Sequence, residues 1–85
     1  MITHVAIIYE GLVYMMPKPK RHHDVIKFIC DTLQIDFIGE NIQGFGTDKN
    51  VFLDRIEAQK HALVCNQVLD VSKLRGQWLF SEDLW

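Results

Sequence analysis

Residues 2–16 read ITHVAIIYEGLVYMM. β-Branched and aromatic residues dominate Ile2–Tyr9, which predicts a strand. Glu10-Gly11 predicts a tight turn, and Leu12–Met16 returns as a second strand. Pro17 and Pro19 end that strand and force an extended connection. No basic leader and no small-residue cleavage site accompany this apolar start, so it is not expected to be a signal peptide. The chain therefore opens on a hairpin, whose apolar face the later segments must cover.

From about His23 to Leu33 the period changes. Val25, Ile26, Ile29, Cys30 and Leu33 recur at three- and four-residue steps, the pattern of an amphipathic helix ending before Gly39. Asp24 falls in its first turn, where the helix dipole favours an acid. NIQGFGT (41–47), DKN (48–50) and VFLD (51–54) then predict a second hairpin. Asp54, with Glu57 three residues on, is a capping box that opens a helical run through Leu69. Ala58, Ala62, Cys65 and Leu69 give that run one narrow face of small residues. The tail, KLRGQWLFSEDLW (73–85), carries Trp78, Phe80 and Trp85, and Ser81 is placed to cap a last helical turn. So aromatic a tail is expected to dock on the core or on another subunit.

The expected fold is α+β: an antiparallel sheet of two hairpins, covered on one face by two helices, with a docked apolar tail, as one domain over 1–85. Hydrophobic residues make up 48% of the chain. A domain this small buries only about 60–65% of its unfolded surface, so an oligomer is the expected outlet for that apolar load. Cys30 and Cys65 show no disulfide framework and read as small core residues of a reducing compartment. No stretch reaches the roughly 18 uncharged apolar residues of a membrane span, and the cytoplasm is the expected location.

Net charge is −2, yet PKPKRHHD (17–24) gathers Lys18, Lys20, Arg21, His22 and His23. A net-acidic chain with one basic spot suits a small anion, and long nucleic acid is not expected. A helix start adds a partial positive charge, and Arg21 with Lys20 and His22 would make a cup for phosphate or pyrophosphate. The rival reading is a solvated loop. Phe45, between Gly44 and Gly46, has no bulky neighbour on its strand and would offer an open face for a base, worth about 1–3 kcal/mol in single-stranded systems. Otherwise it is a core side chain. Asp54 would accept a ribose hydroxyl or serve only as a helix cap. Arg55 stands in a first turn where the dipole disfavours a cation. Arg75, next to Gly76, would close over a ligand or merely decorate the surface.

Metal and catalytic readings fare worse. His22, His23 and Asp24 adjoin, but no paired ligand spacing of a zinc site appears. His23 and Asp24, as helix neighbours, are not expected to face each other as base and orienter. No nucleophile elbow or P-loop is present, and GFGTDK fits neither the dinucleotide nor the Walker spacing. No enzyme, cofactor or metal is expected.

RHHD (21–24), GFGT (44–47), VFLDRIEA (51–58) and LFSEDLW (79–85) together resemble the pattern R-H-x-D, G-F-x-T, F-V-[DN]-R-x-E-A and L-[FY]-S-E-D-L-[WY] of a family of small phage proteins. On that pattern the chain is similar to the phage anti-Thoeris sponges, which sequester cyclic ADP-ribose signals made by TIR-domain defence enzymes. The resemblance implies a dimer or assembly of dimers that binds its ligand without chemistry, some members also holding cyclic oligonucleotides at a separate basic site. It implies Arg21 and His22 on phosphate, Phe45 on the base, Asp54 and Arg55 on ribose and phosphate, and Arg75 as a further phosphate contact. Three departures stand out: Lys49-Asn50 where a turn glycine is expected, Leu53 and Ile56 within the third motif, and a short segment before LFSEDLW. The alternative expectation is a small phage protein that grips a host protein through its aromatic tail.

Overall fold

The computed structural model describes residues 1–85. Strand β1 spans Ile2–Tyr9 and β2 Leu12–Pro17. Glu10 and Gly11 join them with φ of 50° and 80°, the two positive values that a two-residue hairpin turn requires. Helix α1 spans His22–Leu33, β3 Ile42–Thr47, β4 Phe52–Asp54 and α2 Arg55–Val64. Two short 3₁₀ turns come last, at Val71–Lys73 and Ser81–Asp83. The sheet runs β2-β1-β3-β4, every pair antiparallel, so β1 of the first hairpin pairs with β3 of the second. This is the α+β fold that the two hairpins and two amphipathic segments predict.

Register decides which side chains meet. Val5 pairs with Met16 and Phe45, and Phe45 pairs with Leu53. On this face Val5, Ile7 and Phe45 join Val25 and Ile29 of α1 and Ala58 and Ala62 of α2 in one core. Each large aliphatic or aromatic side chain so buried stabilises the fold by about 1.5–3 kcal/mol. The opposite face carries Ala6, Met15, Phe52, Gly44 and Gly46. A Cβ on Gly44 would lie 2.3 Å from the Leu53 carbonyl oxygen and 2.5 Å from the Phe52 ring, and one on Gly46 would lie 2.7 Å from Met15 Sδ. The glycines thus let Phe52 and Met15 lie flat across the sheet. They have no part in baring Phe45, whose ring points the other way.

Several local expectations need correction. Helix α2 stops at Val64, short of Leu69. Asn66 takes φ +57°, and Gln67 N–H returns to Ala62 O at 2.9 Å, which closes the helix. The Gln67 side chain then donates to Ile2 O at 2.9 Å and accepts from Ile2 N–H at 2.6 Å, tying the chain to the start of β1. Leu69 is left exposed rather than on a helix face. Ser81 is not the cap of the last turn. Asp83 caps it from within, accepting the Phe80 N–H at 2.9 Å. Cys30 and Cys65 are half-buried free thiols outside the core. Asn50 supplies the turn conformation, φ +61°, in place of the glycine expected in the second hairpin.

The tail docks on its own chain. Leu79 and Leu84 enter the core, while Trp78 remains 55% exposed. Leu12, Val13 and Ile42 are also exposed on the sheet. No helix is long and apolar enough to cross a membrane.

Candidate functional site

Arg21 is the N-cap of α1, held in extended backbone because its N–H is accepted by Asp24 Oδ2 at 2.8 Å. That bond, with His23, Lys20 and Arg21 nearby, lowers the Asp24 pKa. The Arg21 side chain crosses to the tail. It donates to Ser81 Oγ at 3.0 Å and to the Trp85 carbonyl oxygen, while Trp85 Nε1 donates back to Lys20 O at 3.0 Å. The basic turn and the tail therefore clasp each other.

His22 opens α1 facing inward. It is 8% exposed, and its Nε2 donates to Gly44 O at 2.8 Å. Its ring meets Phe45 edge-on, 5.1 Å between centroids at 85°. Burial lowers its pKa below 6.5, Arg55 adds to the effect, and the Gly44 carbonyl and Glu82 oppose it.

Arg55 is the first residue of α2. Its guanidinium donates to Leu79 O at 2.6 Å and to Gln43 Oε1, and it lies 4.6 Å over the Phe80 ring. Burial lowers its pKa, with Glu82 opposing, Arg75 adding and Asp83 opposing. Arg75 stacks on the same ring at 3.9 Å. Glu82 stands 3.9 Å from both Arg21 and Arg75, and its own backbone N–H, Ser81 and these two cations hold its pKa down against some desolvation. Exposed pairs of this kind contribute roughly 0–1 kcal/mol each.

Arg21, His22, His23, Arg55, Phe80, Ser81 and Glu82 line one cavity of about 150 Å³. The fold thus gathers Arg21, His22 and Arg55, and places Arg75 at the edge through Phe80 and Glu82. Arg55 and Arg75 thus share the Phe80 ring, and Arg21 and Arg75 share the Glu82 carboxylate, although the three are far apart in sequence. Such an arrangement can hold a phosphate next to a planar group.

Two expected members do not reach this cavity. Phe45 is 0% exposed, beneath His22. The open face expected of it is absent because the strand pleat turns the ring to the helices while the flanking glycines face the other side. Asp54 accepts Ile56 N–H at 3.0 Å and Glu57 N–H at 2.8 Å through Oδ1, the helix-cap role. It lines a separate shallow cavity of about 260 Å³ with Gln43, Arg55, Ile56 and Trp78. Arg55 is the wall common to both, and its fork is spent on Leu79 and Gln43 rather than left open. Lys18 and Lys20 line neither cavity. His23 and Asp24, not expected to meet, come within 3.5 Å at the surface.

Sequence reasoning missed Phe80, Ser81 and Glu82 as site residues. They sit in LFSEDLW, whose aromatic content signals docking but not where it docks. Their only signal is the conjunction of an aromatic and an acid beside an otherwise unassigned Arg75. No group of three or more His, Cys, Asp or Glu side chains is placed to hold a metal ion.

A family model described as "Phage T4 y16D protein" matches residues 1–85. No curated protein and no solved structure matches the chain.

Proposed function

This chain belongs to the phage T4 y16D protein family, and from that premise we propose that it is a non-catalytic anti-defence protein that captures a small nucleotide signal of the cyclic ADP-ribose type. The observation that carries this reading is the pair Arg55 and Arg75 on the Phe80 ring, with Arg21 lining the same cavity as Phe80 and Arg55, and with Arg21 and Arg75 both facing Glu82. Guanidinium groups hold phosphate oxygens in pairs, and an aromatic face accepts a base. Phe80 takes the stacking role first expected of Phe45. The motif series from RHHD to LFSEDLW supports the narrower reading as a sponge that withholds the signal from a TIR-type defence system.

A sponge acts by stoichiometry, so the ligand must be tightly enclosed. A dimer or assembly of dimers would serve that end, and the exposed Leu12, Val13 and Ile42 are apolar surface for such an assembly. The protein acts in the host cytoplasm on this reading, with no cofactor or metal.

The test is capture and release. Purified protein is mixed with cyclic ADP-ribose isomers, washed and heated, and the released small molecules are identified by mass spectrometry. Unchanged nucleotide, lost in an Arg75→Ala variant, is expected. An altered nucleotide would replace the sponge by an enzyme, and no capture of any isomer would refute the ligand class.

A second reading rests on Trp78, 55% exposed beside an otherwise docked tail. A host protein gripped by that ring would be retained by the native chain and lost with Trp78→Ala, with no nucleotide captured.

A further inference from the structure

Glu82 belongs to two cavities. One is the cationic pocket, about 150 Å³. The other, about 450 Å³, lies between Leu69, Asp70, Lys73, Arg75 and Asp83. Glu82 is the one residue that lines both, and Arg75 lines the larger. Oε2 faces Arg21 and Oε1 faces Arg75, each at 3.9 Å. Neither is a hydrogen bond, for well-made guanidinium–carboxylate contacts close to about 2.7–2.9 Å. Arg21 donates to Ser81 and Trp85, and Arg55 to Gln43 and Leu79. Arg75 donates to nothing and rests on Phe80.

On the reading of this pocket as a phosphate site, we infer that Glu82 is a displaceable gate: the phosphate of an incoming sugar phosphate replaces its carboxylate between Arg21 and Arg75, and its withdrawal joins the two cavities into one cleft.

Chemistry, volume and mechanics agree. A phosphate brings three acceptor oxygens and more charge than a carboxylate, and Arg75 has donors free to meet it. The smaller cavity, about 150 Å³, falls below the roughly 300–1,000 Å³ of small-ligand sites, and the larger, about 450 Å³, falls within it, so a ligand with its phosphate in the smaller needs the larger for its remainder. The larger one has a single apolar residue, Leu69, and its Asp70 and Lys73 supply an acceptor and a donor for sugar hydroxyls. The Glu82 side chain is 61% exposed, so it swings into water without leaving a hole. The backbone stays put meanwhile, because Asp83 accepts the Phe80 N–H.

The gate is tested by titrating the native chain and Glu82→Gln with ribose 5-phosphate and with inorganic phosphate, monitored by NMR at the arginine Nε–H signals. Removing a carboxylate that competes through two weak ion pairs is expected to tighten ribose 5-phosphate binding by about tenfold. In the native chain, ribose 5-phosphate should move both the Arg21 and the Arg75 signals, the two groups that Glu82 stands between. A stronger response to ribose 5-phosphate than to inorganic phosphate is expected of the joined cleft, and equal responses would confine the ligand to the smaller pocket and refute the joining. Equal or weaker binding by Glu82→Gln would overturn the gate while leaving the phosphate pocket standing. No binding by either chain, with the Arg21 and Arg75 signals unmoved, would overturn the pocket and the gate together.

Discussion

His22 Nε2 lies 2.8 Å from the carbonyl oxygen of Gly44. This bond joins the first residue of α1 to the middle of β3, and it requires the proton on Nε2. The ring is otherwise enclosed, with Phe45 against it and Arg55 nearby.

Stability is therefore expected to depend on pH through His22. Burial lowers its folded pKa below the reference of 6.5. The unfolded chain then binds the proton more readily than the folded one. The contribution is fully present above 6.5 and is lost as pH falls through the folded value. Urea midpoints measured from about pH 7.5 down to about pH 5 should decline, a segment above the range where carboxylates titrate. His22→Gln, which keeps a donor for Gly44, should flatten that segment. An unchanged slope in the variant would show that the effect belongs elsewhere.

Phe45 and Phe80 should separate stability from binding. Phe45→Ala empties the centre of the core and is expected to cost about 3–5 kcal/mol. Phe80→Ala removes a half-buried ring under two guanidinium groups, each such contact being worth about 0.5–1 kcal/mol near the surface. Chemical denaturation ranks the two, and ligand capture should fail in the Phe80 variant while its fold persists. A mild Phe45→Ala beside an unfolded Phe80→Ala would reverse these assignments.

The two sheet glycines should differ in cost. An added methyl at Gly44 meets the Leu53 backbone oxygen at 2.3 Å, which cannot move without breaking the β3–β4 ladder. At Gly46 it meets the end of the Met15 side chain, which can swing aside. Gly44→Ala should lower the melting temperature well beyond Gly46→Ala, whose overpacking is expected to cost about 1–3 kcal/mol at most. Thermal melts of the two variants in parallel decide it, and equal losses would count against the clash as the cause.

Gln67 should behave as part of the sheet. Its amide exchanges two hydrogen bonds with the backbone of Ile2, a buried residue. Gln67→Leu leaves that N–H and C=O without partners, at about 1–3 kcal/mol. Hydrogen exchange at the Ile2 amide should accelerate while exchange at Val5 and Ile7 changes only with global stability. Continued protection of Ile2 in the variant would refute this.

The elements were legible because each rests on local chemistry. Alternation and β-branching mark β1 and β2, the three- and four-residue spacing of Val25, Ile29 and Leu33 marks α1, and Asp54 caps α2 as its type and place predict. The end of α2 was misread because the periodic residues continue to Leu69, while termination depends on Asn66 turning left-handed so that Gln67 can reach Ile2. That bond spans 65 positions and leaves no local trace.

The site divides the same way. Local sequence alone marks Arg21 and His22 as basic residues at a helix start, and the sequence by itself settles that this helix begins beside them. It does not settle which aromatic stands next to them. Phe45 lies between glycines and looks open, yet pleating sends its ring into the core. Phe80 lies in an apolar tail and looks structural, yet docking on Lys20 and Arg21 lays it against Arg55 and Arg75. Helix starts and strand alternation are decided over a few residues, by sterics and hydrogen bonding. Which distant side chains share a cavity is decided by how the sheet, helices and tail pack against one another, and only the tertiary structure contains that.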